Sequence, residues 1–389
     1  MNRTVRVLLQ TTSEQTAALA ETVSLFSAAF NGVCAYGWAH NEKNGVRLHH
    51  ATYYPLKERY PALVSDLHCQ ARVKATEALR SAFVLRRQGR KVSAPRSAQC
   101  PPRFNKHTFK VDWPNRTVRL STTQGRMSLP FQLLAYAEKY AGATVLTSDL
   151  LQGDGNWWLH IVVDLPAPEV TPNAEVVGVD LGIAQPAVTS NNRFLGKKGW
   201  RAVEARNFNL RRALQAKGTK SAKRHLRKMR RRAERFRRDC DHVLSKQIVE
   251  ACPHGGTIIL ENLKDIRRRT KVRHGKQARR LHSWSFAQLK SFVRYKAEGR
   301  GITVVGVDPR HTSQMCSSCG HIARNNRRSR AWFQCRACGF LLHADLNGAR
   351  NIAAKYHAAV GIPGGGGQPV NLPIVGSSAS HGSLTSCRL

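Results

Sequence analysis

Val176-Val177-Gly178-Val179-Asp180-Leu181-Gly182-Ile183 runs from β-branched residues into a lone carboxylate and then into a glycine turn. The apolar run reads as a buried strand. An unpaired carboxylate ending such a strand costs several kcal/mol, and coordination of a cation offsets that cost. Two later stretches repeat the arrangement. Thr257-Ile258-Ile259-Leu260 runs into Glu261, and Asp345 opens the helix-like run Leu346 to Tyr356. The three acids are expected to meet at one metal site. Asp308 ends a further apolar run, Ile302 to Val307, but a proline follows it. It is kept as an outer alternative with a role in a turn.

Charge decides what surrounds that site. The 389 residues carry 63 Lys+Arg against 24 Asp+Glu, a formal net charge of +39. A protein with that imbalance repels itself unless a polyanion neutralises it. The partner is therefore expected to be nucleic acid, and extended, since a short duplex contact uses far fewer cations. Hydrophobic residues make up 41% of the chain, enough for a true core in two or three domains. The N-terminus has no signal-peptide layout, and no apolar run approaches the roughly 18–20 residues that a membrane span needs. These features predict a cytoplasmic or nucleoid location and no membrane partner. Oligomeric state is not written in the sequence.

Strand patterns open the chain at Arg3–Leu9 and resume at Thr108–Val111, Thr117–Leu120, Ala143–Leu146 and Trp157–Val163. Gly153-Asp154-Gly155-Asn156 is a hairpin signal before the last of them. A small barrel is expected, with a helical block inserted after its first strand. Within that block, Thr12 to Asn31 and Ser65 to Phe83 carry apolar residues at helical spacing, and Tyr53-Tyr54-Pro55 lies between them. Tyr54, Gln70 and Lys74 are candidates for reading bases there, the tyrosine by stacking.

The segment 211–240 holds fourteen Lys or Arg and only two acids, Glu234 and Asp239. Leu226, Met229, Ala233, Phe236 and Cys240 still form an apolar seam through it. Two helices broken at Gly218-Thr219 are expected, with Ser221 as the cap of the second. Arg224, Arg227, Lys228, Arg231 and Arg235 then face phosphates. A second basic stretch, Arg267 to Arg280, reads as a mobile loop. Residues 361–389, glycine- and serine-rich, read as a disordered tail.

The strongest spacing signal is Cys316-x-x-Cys319, fifteen residues, then Cys335-x-x-Cys338, each pair followed by a glycine. This is the spacing of a four-cysteine zinc ribbon holding one structural Zn²⁺. The arm between the pairs carries Arg324, Arg327, Arg328, Arg330 and Trp332, and is expected to touch nucleic acid. The other six of the ten cysteines are isolated and read as small core residues.

In order, Gly-Val-Asp180-Leu-Gly, Ile-Leu-Glu261-Asn-Leu, Thr312-Ser313-Gln314-x-Cys316-x-x-Cys319-Gly, Cys335-x-x-Cys338-Gly and His343-Ala-Asp345-Leu-Asn347 resemble the TnpB (OrfB) nucleases of insertion sequences. The compact type V CRISPR effectors share the pattern. These motifs span about residues 176–356; the N-terminal half fits only through Tyr54 and the Gln70 helix. Gly348 departs from the family, where alanine is usual.

The resemblance implies an α+β multidomain chain. A RuvC-like nuclease of RNase H fold would occupy 173–311 and 340–360, with the basic helical pair at 205–251 and the zinc ribbon at 312–339. A wedge β-barrel would take 1–10 and 103–172, with a helical recognition lobe at 11–102. It further implies an RNA-guided DNA endonuclease that binds a structured guide RNA and reads a short target-adjacent motif. Double-stranded DNA would be cut with two Mg²⁺ ions on Asp180, Glu261 and Asp345. Base pairing then supplies specificity while the protein holds backbone, which suits so much charge without a base-reading module. The alternatives are a CRISPR effector with the same chemistry, an unguided structure-specific nuclease, a strand-joining transposase and a non-enzymatic zinc-ribbon binding protein.

Overall fold

Strand β1 (Asn2–Leu9) buries Val5, Val7 and Leu9 on one face and turns Thr4 and Arg6 outward, the period-2 pattern of a half-buried strand. It is the first element in a computed structural model that describes residues 1–171, 173–182, 185–197, 199–263, 275, 286–329 and 331–361. The expected basic loop at 267–280, apart from Gly275, and the tail beyond Gly361 lie outside the described residues. Two compact units result, Met1–Pro166 and a second beginning at Ala167.

In the first unit β1 lies inside a seven-stranded antiparallel sheet. The others are β2 (Arg103–Phe104), β3 (Phe109–Asp112), β4 (Thr117–Thr122), β5 (Gly125–Leu133), β6 (Thr144–Gly153) and β7 (Asn156–Asp164), in the order β2-β6-β7-β1-β5-β4-β3. The edges β2 and β3 are joined by residues 105–108 alone. Five Cα steps reach at most about 19 Å, whereas six interstrand gaps would hold flat edges roughly 29 Å apart. The sheet must therefore curl its edges together, in line with the barrel expected from the sequence. The β6–β7 hairpin turns at Asp154-Gly155, both at positive φ (51° and 82°).

Strand β5 escaped the sequence reading because Pro130 interrupts it. The proline sits where the strand changes partner: residues 125–130 pair with β4 and residues 131–133 with β1. Its missing N–H falls at a crossing point, where a strand tolerates one.

Three helices separate β1 from β2: α1 (Ser13–Ala39), α2 (Gly45–Arg59) and α3 (Ser65–Arg87). Thr12 caps α1 in a capping box with Gln15. Helix α2 was not expected. Asn44 nucleates it by accepting from the N–H groups of Val46 and Arg47, and Tyr53, Tyr54 and Pro55 lie within it rather than in a connection. By length and composition α1 could cross a membrane, which corrects the expectation that no run is so apolar. Its Leu19, Phe26, Phe30 and Val33 are instead buried in one core with Leu67 and Leu79 of α3 and with Leu120, Leu159 and Ile161 of the sheet. Each such side chain contributes about 1.5–3 kcal/mol of burial.

The second unit is built on a five-stranded sheet. Strands β8 (Val176–Asp180), β9 (Ala187–Thr189), β10 (Phe194–Leu195), β11 (Thr257–Glu261) and β12 (Thr303–Val307) lie in the order β10-β9-β8-β11-β12. β8, β11 and β12 run parallel, and the β9–β10 hairpin is antiparallel. That hairpin was missed in the sequence, although Asn191-Asn192, with Asn192 at φ 64°, is its turn signal.

One sheet face packs on α5 (Lys220–Glu250) and α6 (Phe286–Glu298) through Val177, Val179, Ile258 and Leu260 against Leu244, Ile248, Leu289 and Val293. The other takes α7 (Ala344–Ala359). Helix α4 (Trp200–Lys217) precedes α5, and Gly218 at φ 63° ends it. The cap of α5 is Thr219, which accepts from Ala222 N–H, and not Ser221 as expected. Leu226, Met229, Ala233, Phe236 and Cys240 of the predicted seam are half-buried, lining a cleft of about 730 Å³ opposite Trp200 and Phe208.

Candidate active site and metal centre

Strand periodicity decides where the acids point. Val177 and Val179 face α5 and α6, so Gly178 and Asp180 face α7. In the parallel pair Ile259 stands opposite Gly178 and Leu260 opposite Val179, so Glu261 ends its strand beside Asp180 on the same face. Gly178 lets the helix come down onto this face. A Cβ there would lie 2.2 Å from the Ala349 carbonyl oxygen and 2.6 Å from Ala353 N. Helix α7 then places Gly348 over Asp180, where a Cβ would meet Asp180 Oδ2 at 3.1 Å. The departure to glycine at 348 leaves that carboxylate room. One turn earlier on α7 stands Asp345.

The three acids therefore share a neighbourhood at the C-terminal ends of parallel strands, a common position for sites in such sheets. Burial, then the charges of Glu261 and Asp345, push Asp180 up to about 8, and Arg327 opposes them. Burial also raises Glu261 above the usual range, against a hydrogen bond from Thr312 and the charge of Lys355; Asp308 adds to the rise. A buried carboxyl pushed up by two neighbouring acids marks an anionic site short of a cation, and three hard oxygen donors suit Mg²⁺.

Asp345 does not cap its helix. His343 is the cap, its ring accepting from Asp345 N–H at 3.3 Å. The Asp345 carboxylate is paired instead with Arg327, whose guanidinium donates to Oδ1 at 2.7 Å. The sequence reading had given Arg327 to nucleic acid along with its neighbours; the structure turns it inward, while Arg324 and Arg328 remain exposed. Among the described residues the acids do not form a tight cluster; the one group of possible ligands lying within 4.8 Å of one another is the four cysteines. Two further contributors had no signal beyond a motif position or a helix face. Thr312 donates to Glu261 Oε1 at 2.6 Å, and Lys355 donates to the Asp308 carbonyl at 2.9 Å and to that of Arg310.

These shifts set a pH dependence. A carboxyl whose folded pKa lies above its unfolded value binds more protons when folded, so stability falls as pH rises between the two values. For Asp180 that window runs from 3.8 to about 8. Without divalent metal, the melting temperature of the second unit is expected to drop on the order of 5–10 °C between pH 5 and 8.5. Asp180→Asn should remove most of that drop, and added Mg²⁺ should flatten it in the unsubstituted protein. Parallel pH profiles for both proteins would contradict the assignment.

The four cysteines sit on two matching turns. Gly320 N–H bonds the Cys316 carbonyl and Gly339 N–H that of Cys335, with the glycines at φ 76° and 72°. Cys316 N–H bonds the His321 carbonyl, and Cys335 N–H that of Phe340. The Cys316–Cys338 sulfurs are 3.8 Å apart and the Cys319–Cys335 sulfurs 3.5 Å. A tetrahedron with Zn–S of 2.3 Å has edges of about 3.8 Å, so the set fits Zn²⁺. Burial would raise the Cys335 thiol, but N–H groups of Cys338 and Ala337 and the neighbouring thiols of Cys319 and Cys338 hold it below its usual value, which favours the thiolate that Zn²⁺ takes. Strands β13 (Trp332–Gln334) and β14 (Leu341–His343) flank the second turn.

The nucleic-acid candidates divide. Arg224, Arg227, Lys228, Arg231, Arg235 and Arg328 are exposed, and Tyr54 is 73% exposed. Gln70 is half-buried. Lys74 is a correction: it is 6% exposed, its ammonium 3.0 Å from Asp149 Oδ1 and 2.7 Å from the Pro101 carbonyl. Its charge is committed to the interior rather than offered to bases.

Residues 286–352 match the family described as the Cas12f1-like TNB domain. Over 230 residues the chain is 33% identical to the CRISPR-associated endodeoxyribonuclease Cas12f1 of Sulfoacidibacillus thermotolerans, covering 54% of this chain and 53% of that protein. It is 28% identical over 229 residues to the putative RNA-guided DNA endonuclease InsQ of Escherichia coli (strain K12), covering 54% and 56%. The chain thus spans about half the length of these curated relatives. Its fold is similar to that of the Cas12f1 chain in a cryo-EM structure of a Cas12f1–sgRNA–target DNA complex, with a TM-score of 0.64 and 16% identity over 86% of this chain and 81% of that one. The resemblance read from the motifs is borne out, as is an α+β architecture.

Proposed function

From these likenesses and the placing of two acids at inner strand ends beneath the helix that bears the third, we propose that the chain is an RNA-guided DNA endonuclease with a single RuvC-like site. The observation that carries the reading is the placement of Asp180 and Glu261 at adjacent parallel strand ends, both facing the helix that bears Asp345. The sheet order, with an antiparallel hairpin on one side of β8 and parallel strands on the other, supports an RNase H fold for this unit. The curled sheet with its helical insertion corresponds to a wedge barrel and recognition lobe, and residues 312–339 to the zinc ribbon.

Asp180 would stand as the central ligand, with Glu261 and Asp345 on either side. A pair of Mg²⁺ ions held by these acids would supply an activated water and charge stabilisation for the leaving 3′ oxygen. The chain's own residues prepare the place. Thr312 orients Glu261, and Arg327 neutralises Asp345. Cys316, Cys319, Cys335 and Cys338 would hold one Zn²⁺ with no open position, so its role is structural.

Guide RNA and double-stranded DNA are the proposed partners, in the cytoplasm. Arg224, Arg227, Lys228, Arg231 and Arg235 on α5, with Arg328, form the proposed phosphate contacts. Tyr54 and Gln70 remain proposed readers of a target-adjacent motif.

The test is expression together with the DNA flanking the gene, followed by sequencing of RNA that co-purifies. A discrete RNA whose 3′ end directs Mg²⁺-dependent cutting of matched DNA is the expected result. Random RNA fragments with cutting of branched DNA alone would favour an unguided nuclease and end the guided reading.

A further inference from the structure

The segment Asp308–Ser317 leads from β12 into the first cysteine turn, and side chains from other parts of the fold bond its backbone at Asp308, Arg310, Thr312, Gln314, Met315 and Ser317. Helix α7 presents Asn347, Asn351 and Lys355 at intervals of four, one stripe along its surface. Asn351 Nδ2 donates to the Thr312 carbonyl at 2.8 Å and the Met315 carbonyl at 2.7 Å. Asn347 Nδ2 also donates to Met315, at 2.8 Å, and its Oδ1 accepts from Ser317 N–H at 2.9 Å. Lys355 takes the carbonyls of Asp308 and Arg310. Asn326, from between the cysteine pairs, takes that of Gln314 at 2.9 Å. Both α7 asparagines are fully buried, where amides are costly unless bonded.

Among the described residues of this segment, Thr312 is the one whose side chain bonds one of the three candidate metal-binding acids. The Thr312 hydroxyl is 2.6 Å from Glu261 Oε1, with the Pro309 carbonyl as a second acceptor at 3.0 Å. Thr312 is 4% exposed, and its backbone is pinned by Asn351. Glu261 thus takes its orientation from a hydroxyl whose position depends on α7, the helix that carries Asp345, and on the segment that carries Cys316.

We infer that Thr312 is a positioning residue for Glu261, and that Asn351 couples its placement to α7 and the four-cysteine turn. The inference rests on the acids binding divalent metal, as proposed above. It adds that the metal affinity of the acid site depends on a hydroxyl and an amide that touch no metal. Loss of an outer-shell hydrogen bond to a metal ligand typically lowers affinity 10–100-fold.

The experiment is calorimetric titration of the full chain with Mn²⁺, with thermal melts alongside. Thr312→Val keeps the shape and removes the hydroxyl; Thr312→Ser keeps the hydroxyl. Thr312→Val is expected to weaken Mn²⁺ binding by about 10-fold or more with RNA binding and melting temperature little changed, and Thr312→Ser to restore the affinity. Asn351→Ala should weaken Mn²⁺ binding by itself but add little in the Thr312→Val background, because both act through one hydrogen bond. If Thr312→Val binds Mn²⁺ like the unsubstituted protein, or if Thr312→Ser fails to restore it, Thr312 does not position Glu261. Additive effects would remove Asn351 from the path. Absence of Mn²⁺ binding in the unsubstituted protein would instead overturn the proposed metal site itself.

Discussion

Asp180→Asn is expected to lower metal-dependent cleavage by at least about 1,000-fold while RNA and DNA binding stay within about 2-fold. The first figure follows from the several kcal/mol that a bound metal pair contributes to the transition state. Asparagine matches aspartate in shape, so the packing of α7 on β8 survives, including the close approach at Gly348. The second figure follows from position. The cations proposed to bind phosphate lie on α5 and on the arm between the cysteine pairs, not among the acids. The substitution also removes a carboxyl that burial and its neighbours push up to about 8. The variant should therefore be more stable than the unsubstituted protein in metal-free buffer at pH 8. Cleavage-dead, binding-competent and more stable is a combination that a structural aspartate cannot produce. Joint loss of cleavage and binding would show that Asp180 holds the fold.

Removal of the zinc proposed for the four cysteines should do the reverse and take structure and activity together. Elemental analysis of the purified protein is expected to find one zinc per chain. Among the described residues the cysteine unit has a core of Cys316, Phe333, Cys335 and Ala344 with Phe340 packed against it, far too little apolar surface to fold alone. Structural Zn²⁺ binds such sites with roughly 10–16 kcal/mol of apparent free energy, so loss of the zinc proposed here is expected to unfold the turns. Arg327 and Thr312 both belong to this region, and each holds one of the acids. Cys316→Ser or Cys335→Ser should therefore remove zinc and abolish cleavage, while the helices of the first unit keep their melting transition. A full complement of activity in zinc-free protein would refute the structural role.

Much of the site was legible because its signals are local. A strand ending in a carboxylate is recognised from five residues, as at Val176–Asp180 and Thr257–Glu261. A cysteine turn is recognised from two thiols and a glycine that must adopt positive φ, as Gly320 and Gly339 do. The hairpin at Asp154-Gly155 is the same kind of signal. Where two local rules competed, the reading failed. Pro130 hid β5, although Leu129, Phe131 and Leu133 alternate inward. Pro55 hid α2, although Asn44 caps it.

The partners of the acids were not legible, because they come from far along the chain. Thr312 is 51 residues from Glu261, and Arg327 is 18 from Asp345. Lys74 looked like any other cation on a basic helix until Asp149, brought beside it by the folding of β6, took its charge inside. The sequence by itself determined the chemistry available: three isolated acids, four thiols at ribbon spacing and an excess of cations. These follow from residue type and from spacings that the backbone repeats everywhere. Only the tertiary structure decided which acid is held by which neighbour. That choice depends on one helix lying against one strand at a glycine, Gly178, where any side chain would hold α7 away and the acids apart.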